Sequence, residues 1–408
     1  MTSVLVPSGE TDYRSQLRVL VAAEPLPLFD AIAVDYLDAV SKAVLLDPGL
    51  RRMPEMAAAA HWMRRAHIFE IRKRFEAGGG ECLRLARGVA LHFAPANVDS
   101  IFLYSWFISL LLGNANIVRL SERRGSQVDL LLEKINSVLE HGRFGPIRDR
   151  SLLLAYDHND ALTAELSGCC HVRVLWGGDE SVRRLRAIPM NPLAIEVAFA
   201  NRFSLAAMDA TAVAKADDAQ LASLASRFYN DAYWFNQMAC SSPRLVAWVG
   251  TADVCSSAQT VFWIALSREI EKRGFQLPEV AGINKLVHAY SSAGVGISDG
   301  ISPGVTGAIS RVHLAKCVDG RFRAVDCGGG FFFETEISAL DQLRTLLTER
   351  DQTICYFGFD RAQLKRFAAS LPARAVDRIV PIGAALDFGT VWDGINLLQL
   401  FSREVDLQ

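Results

Sequence analysis

The chain has 408 residues, half of them hydrophobic and 22% charged, with a formal net charge of −2. That length exceeds one ordinary core and predicts two domains. The balanced charge gives no general attraction to nucleic acid or anionic lipid, so any nucleotide or phosphate site has to be local. The first residues, MTSVLVPSGETDYRSQ, lack a basic region followed by an apolar block and do not read as a secretory signal. Residues 1 to about 90 read as mostly helical, with a glycine stop at 78–80. RGVALHFAP (87–95) then reads as a buried strand, ANVDS as a turn, and IFLYSWFISLLL (101–112) as an apolar helix. At 12 residues that helix is too short for the roughly 20 that a bilayer span needs, which predicts a buried core helix and no membrane span.

ANIVRLSE follows as a strand, so 87–122 form a strand–helix–strand unit of the kind that builds parallel sheets. The alternation continues through the strands RSLLLAY and HVRVLW, each followed by a helix, and predicts a doubly wound α/β domain to about residue 205. A second α/β rhythm starts with the helix DAQLASLASRFYNDAYWF, the strand PRLVAWVG and the helix SAQTVFWIALSREIEKRGF. Residues 291–307, rich in Gly and Ser, read as a surface loop, and TVWDGINLLQLFSREV ends in a strand-like segment. The expected organisation is a helical segment and dinucleotide-binding domain over 1–205 and a catalytic domain over 206–383. Residues 384–408 would return to the first domain or serve oligomerisation.

Three segments could carry chemistry. WGGDES (176–181) places two glycines between a strand and a helix, as a phosphate-binding turn does; an ordinary strand–helix turn has the same pattern. VRLSERR (118–124) could hold a ribose or its 2′-phosphate through arginine forks, or be a solvated charged turn. Cys240, in MACSSP, has small neighbours that leave room at sulfur but no adjacent histidine to act as a base. Spacing leaves it open as nucleophile or as inert core thiol. The eight cysteines are scattered with no CxxC, which predicts no disulfide framework, no metal cage and a reduced, cytoplasmic protein.

Five runs taken in order resemble the acyl-CoA reductases typified by the reductase subunit of the bacterial luminescence fatty-acid reductase complex, a LuxC-like branch of the aldehyde dehydrogenase superfamily. They are GVALHFAPANVDSIFLYSWFISLLLGNANIVRLS, VRVLWGGDESVRRLR, NRFSLAAMD, FYNDAYWFNQMACSSPRLV and VPIGAALDFGTVWDGINLL, spanning Gly88 to Leu398. The resemblance implies an aldehyde dehydrogenase-like fold, with a Rossmann-type cofactor domain beside an α/β catalytic domain. It implies that Cys240 takes the acyl group from a thioester, and that Asn97 supplies an oxyanion donor with the backbone N–H at the cysteine. It places Arg119 and Ser121 at the adenosine ribose, Gly177, Gly178 and Asp179 beside the diphosphate, and Glu334 at the nicotinamide ribose. Glu196 aligns with the superfamily's general base, although the glycines of that motif are missing here. The implied activity is NADPH-dependent reduction of a CoA-bound or carrier-bound acyl thioester, of fatty or apolar chain, to the aldehyde. NADPH rather than NADH follows from Arg119 with Arg123 and Arg124. A homo-oligomer and an acyl-transferring partner protein are implied as well. The rival readings are an oxidising or CoA-acylating aldehyde dehydrogenase and a catalytically silent scaffold.

Overall fold

The computed structural model describes residues 2–9, 12–77, 82–95, 101–277, 279–304, 307–315, 320–325 and 327–407. The chain divides into two compact units, 1–201 with 388–408, and 202–387.

Unit 1 is built on a six-stranded sheet. Its strands are β1 (Ser3–Val6), β3 (Val89–Phe93), β4 (Ala115–Leu120), β5 (Ser151–Ala155), β6 (Val172–Trp176) and β7 (Ile195–Phe199), and β2 (Leu83–Ala86) lies outside it. The spatial order is β1-β5-β4-β3-β6-β7, with β1 antiparallel to β5 and the other pairs parallel. Every residue of β3, β5 and β6 is buried, as a parallel sheet covered on both faces requires. The N-terminal helices are α1 (Tyr13–Ala22), α2 (Ala31–Leu46), α3 (Pro54–Trp62) and α4 (Arg65–Ala77). After these come α5 (Ile101–Leu111), α6 (Ser126–Leu139), α7 (Asp160–Gly168) and α8 (Asp179–Arg186). α5 is apolar around nearly its whole circumference and is a core helix, because no polar face remains to turn to water. β1 and β2 are strands within a stretch, residues 1 to about 90, expected to be mostly helical, and β1 is the one that joins this sheet. SVLV is too short to show a period, and the exposed edge of β5 recruits it.

Unit 2 holds a seven-stranded sheet of β8 (Phe203–Asp209), β9 (Pro243–Val249), β10 (Ser298–Ile301), β11 (Ser310–Leu314), β12 (Phe331–Ile337), β13 (Asp351–Phe357) and β14 (Arg378–Pro381). The order is β10-β11-β12-β9-β8-β13-β14, with only β10 antiparallel to its neighbour. Its main helices are α9 (Asp218–Tyr233), α10 (Ala252–Arg273), α11 (Glu279–Gly294) and α12 (Arg361–Ala369). Asp217 with Gln220 and Asp360 with Gln363 form capping boxes at the starts of α9 and α12. The stretch 291–307, expected as a loop, begins as the last turn of α11 and continues into β10. Gly294 and Gly296 lie at the helix end and Gly300 in an edge strand, positions where they interrupt no central element.

The chain then returns to unit 1. A two-residue hairpin, β15 (Val391–Trp392) and β16 (Ile395–Asn396), precedes β17 (Ser402–Val405), which pairs antiparallel with β2 from Ser402↔Ala86 to Val405↔Leu83. Asn114 fastens this return: its Nδ2 donates to the Phe401 carbonyl, and its Oδ1 accepts from the N–H groups of Arg87 and Gly88. Among the described residues no helix is long and apolar enough to cross a membrane.

Candidate active site

Cys240 sits in unit 2 on the short connection from α9 to β9. Asn236 and Gln237 adopt left-handed backbone conformations (φ 49° and 65°), uncommon for residues with a side chain and a sign that the surroundings impose the path. The buried Gln237 amide uses all four of its hydrogen-bonding positions. Nε2 donates to the carbonyls of Pro243 and Phe331, and Oε1 accepts from the N–H groups of Gly330 and Phe331, each at 2.9 Å. Gly329 N–H donates to the Asn236 carbonyl at 2.7 Å. The facing turn has three consecutive glycines with positive φ, Gly328 to Gly330. A Cβ on Gly330 would lie 2.1 Å from the Ala308 carbonyl oxygen, so the turn can approach the cysteine loop only as glycine.

Ser242 N–H then closes a turn onto the Ala239 carbonyl at 3.0 Å, with Cys240 at the turn's second position. Cys240 is half-buried, whereas Ala239, Ser241 and Ser242 are buried. The Ser204 hydroxyl donates to the Cys240 carbonyl at 2.6 Å and accepts from Thr353 N–H at 3.2 Å. Because the peptide unit is planar and trans, holding that carbonyl also sets the direction of the Ser241 N–H. Burial pushes the Cys170 thiol up to about 12 and Cys255 up to about 11, and raises Cys169 and Cys355. Below the loop, Lys285 is fully buried and donates to the Gly307 carbonyl at 2.8 Å; burial lowers its ammonium to about 8.

In unit 1 the strand order reverses at β3. The chain proceeds outward from β3 to β4 to β5, then returns to β6 on the other side of β3. In open α/β sheets the crevice at such a reversal, outside the carboxyl ends of the strands, is where ligands enter. Gly177, Gly178 and Asp179 follow β6 there, beside the end of β3, and Arg119 and Ser121 stand at the end of β4. Gly178 precedes α8 as its N-cap residue and brings no side-chain cap of its own. The Trp176 indole N–H, beside Gly177, is buried without a partner among the described residues, and its ring stacks on Phe199 at 3.9 Å. A helix start without a side-chain cap, a glycine turn and a buried indole donor at the reversal point fit a dinucleotide. Asp179 and Glu180 in the first turn of α8 oppose a diphosphate there, so the contact has to be made through backbone N–H groups.

The arginines divide. Arg119 Nη2 donates to the Tyr156 carbonyl at 2.9 Å, and Arg124 pairs with Asp129 at 2.6 Å. The Ser121 hydroxyl accepts from Arg123 N–H at 3.1 Å. The Arg123 guanidinium has no partner among the described residues and stands exposed at the end of β4.

Two expected members of the site are engaged elsewhere. Glu196 lies opposite Arg173 near the start of β7, the far end of the strands from Gly177. Its carboxylate accepts from Arg173 Nε at 2.6 Å and Arg186 Nε at 3.0 Å, so both of its oxygens are engaged by guanidiniums. Glu334 is fully buried in unit 2, where Oε1 accepts from the indoles of Trp248 and Trp263 at 2.9 and 2.8 Å. Arg311 Nη1 stands 3.5 Å from its Oε2. Asn97 lies outside the described residues. Ser204 and Gln237 were not singled out from sequence. A buried serine in a strand and a glutamine before a turn carry no local signal, and only their strand partners reveal what they hold.

A model of the acyl-CoA reductase (LuxC) family matches residues 72–289. No curated protein matches the chain. Among solved structures, an NAD-dependent benzaldehyde dehydrogenase from Corynebacterium glutamicum is 13% identical over 96% of this chain and 87% of its own, with a TM-score of 0.63. Aldehyde dehydrogenase 21 from Physcomitrella patens is 9% identical, covering 96% of this chain and 84% of its own, with a TM-score of 0.64. A 1-pyrroline-5-carboxylate dehydrogenase from Thermus thermophilus is 12% identical, with the same two coverages and a TM-score of 0.65. At such identities the likeness establishes the fold, that of the aldehyde dehydrogenases.

Proposed function

The chain belongs to the acyl-CoA reductase (LuxC) family and is an oxidoreductase, and from that footing we propose that it reduces an acyl thioester to the aldehyde through an acyl group carried on Cys240. The observation that carries the reading is the Cys240 turn. One half-buried thiol is held on a loop pinned by Ser204, Gln237 and Gly329. The Cys240 thiolate attacks the thioester carbonyl and forms a carbon–sulfur bond. The carrier thiolate leaves and takes up a proton. The backbone N–H at Cys240 and the Asn97 amide receive the oxyanion, a contribution of several kcal/mol where donors are fixed in advance. When bound, a nicotinamide dinucleotide supplies the hydride that makes the acyl carbon an aldehyde carbon. Cleavage of the carbon–sulfur bond then returns the Cys240 thiolate.

Gly177, Gly178 and the start of α8 would hold the diphosphate, and Arg119 and Ser121 the adenosine ribose. Arg123 favours NADPH over NADH, since a guanidinium with no partner among the described residues suits a 2′-phosphate. No residue is needed to activate water in this cycle, which agrees with the engagement of Glu196 by two arginines. Exclusion of water protects the acyl-cysteine instead.

The test is mass spectrometry of the protein after incubation with acyl-CoA in the absence of nicotinamide. The expected result is one acyl adduct on Cys240, absent from Cys240→Ala, together with loss of acyl-CoA-dependent NADPH oxidation in that variant. An adduct on another cysteine, or turnover surviving in Cys240→Ala, overturns the reading.

A further inference from the structure

Helix α11 is amphipathic in the reverse sense. Its buried side carries Gly282, Lys285, Ala289 and Ser292. Its outer side carries Val280, Ile283, Val287 and Tyr290, which are 68%, 63%, 56% and 64% exposed, with Leu286 beside them at 36%. An apolar stripe on a helix normally faces its own core. A contiguous one left in water marks a protein contact. The stripe is also symmetric along the helix: Ile283 and Val287 stand two residues either side of Lys285, and Val280 and Tyr290 five either side.

We propose that α11 packs antiparallel against α11 of a second copy of this chain, about a two-fold axis passing over Lys285. In that register Val280 meets Tyr290 of the second copy and Ile283 meets Val287, so four of the five apolar side chains cover one another, as an isologous interface demands, and Leu286 meets Asn284. The match is electrostatic as well. Between Val280 and Tyr290 the only residue that is always charged is Lys285, and it is turned inward to the Gly307 carbonyl, so no like charges meet. The two helix dipoles oppose each other. A lipid surface suits the stripe poorly, because no exposed Lys or Arg flanks it within the helix. Five side chains of this size remove on the order of 100 Å² each. Over two copies that is about 1,000 Å², the lower end of a stable interface. α11 is thus the centre of the contact.

Sedimentation of the full chain across a micromolar concentration series reads this directly. The wild type is expected to dimerise. Ile283→Glu combined with Val287→Glu sets carboxylates against carboxylates across the axis and raises the dissociation constant at least 100-fold. Ile283→Glu combined with Val287→Lys sets opposite charges together and recovers at least tenfold of that loss. A monomeric wild type, an unchanged dissociation constant in the Glu/Glu chain, or a Glu/Lys chain no tighter than the Glu/Glu chain overturns the proposal. Nitration of Tyr290 in the unaltered protein gives a second readout. Protection that disappears on dilution supports the contact, and labelling independent of concentration refutes it.

Discussion

At Cys240 the reactive group is local but its positioning is not. The thiol stands in a turn of small residues, while its peptide is held by Ser204 on β8, which is itself held by Thr353 on β13. Ser204→Ala removes the donor to the Cys240 carbonyl and leaves two buried backbone groups without their partner. Each such loss is worth about 1–3 kcal/mol. The expected outcome is a turnover about tenfold lower, equivalent to roughly 1.4 kcal/mol, with KM nearly unchanged and slower alkylation of Cys240. Ser204→Thr, which keeps the hydroxyl, restores most of both. Equal kcat in the alanine variant would separate Ser204 from the nucleophile's placement. Glu196 and Glu334 teach the converse at this scale. An alignment places a carboxylate on a strand, but what that carboxylate can do depends on the arginines or indoles across from it.

At the scale of elements, two buried titratable groups tie strands and helices together with opposite dependence on pH. His92 on β3 lies 3.1 Å from Ser105 Oγ on α5 and 3.1 Å from Asn116 Oδ1 on β4, and burial lowers its imidazole to about 4. Between about pH 6.5 and 4 the unfolded chain takes up a proton that the folded one refuses. This stabilisation is therefore lost as pH falls, by up to roughly 3 kcal/mol. Asp231 on α9 accepts from Gly383 N–H at 2.6 Å and Ala385 N–H at 3.0 Å, and burial raises its carboxyl to about 7. Its contribution has the reverse sign: present below the ordinary carboxylate range and lost as pH rises through 7. Urea midpoints measured from pH 4 to 8 should fall less steeply on acidification in His92→Gln than in the wild type. In Asp231→Asn they should lose less stability on going from pH 6 to 8. Parallel curves for all three proteins would refute both assignments.

At the scale of the whole molecule, unit 1 is made of two separate stretches of chain, whereas unit 2 is a single insertion between them. β17 completes a ladder with β2, and the Phe401 carbonyl takes the Asn114 amide. A chain ending at Asp387 is therefore expected to lose cooperative unfolding of unit 1, read by the hydrogen-exchange protection of β3 and β4, while the amides of β8 and β9 keep theirs. Equal protection in β3 and β4 would show the return segment to be dispensable. Sequence by itself determined the α/β class, the core helix expected at 101–112, the family and the cysteine to suspect, because hydrophobic period, turn glycines and ordered motifs are properties of neighbouring residues. Tertiary structure alone decided which carboxylates are engaged and what holds Cys240. It also decided which guanidinium at the end of β4 has no partner among the described residues, and that the apolar side of α11 faces outward. Each of these depends on a group brought close from a distant part of the chain, and residue spacing carries no record of that distance.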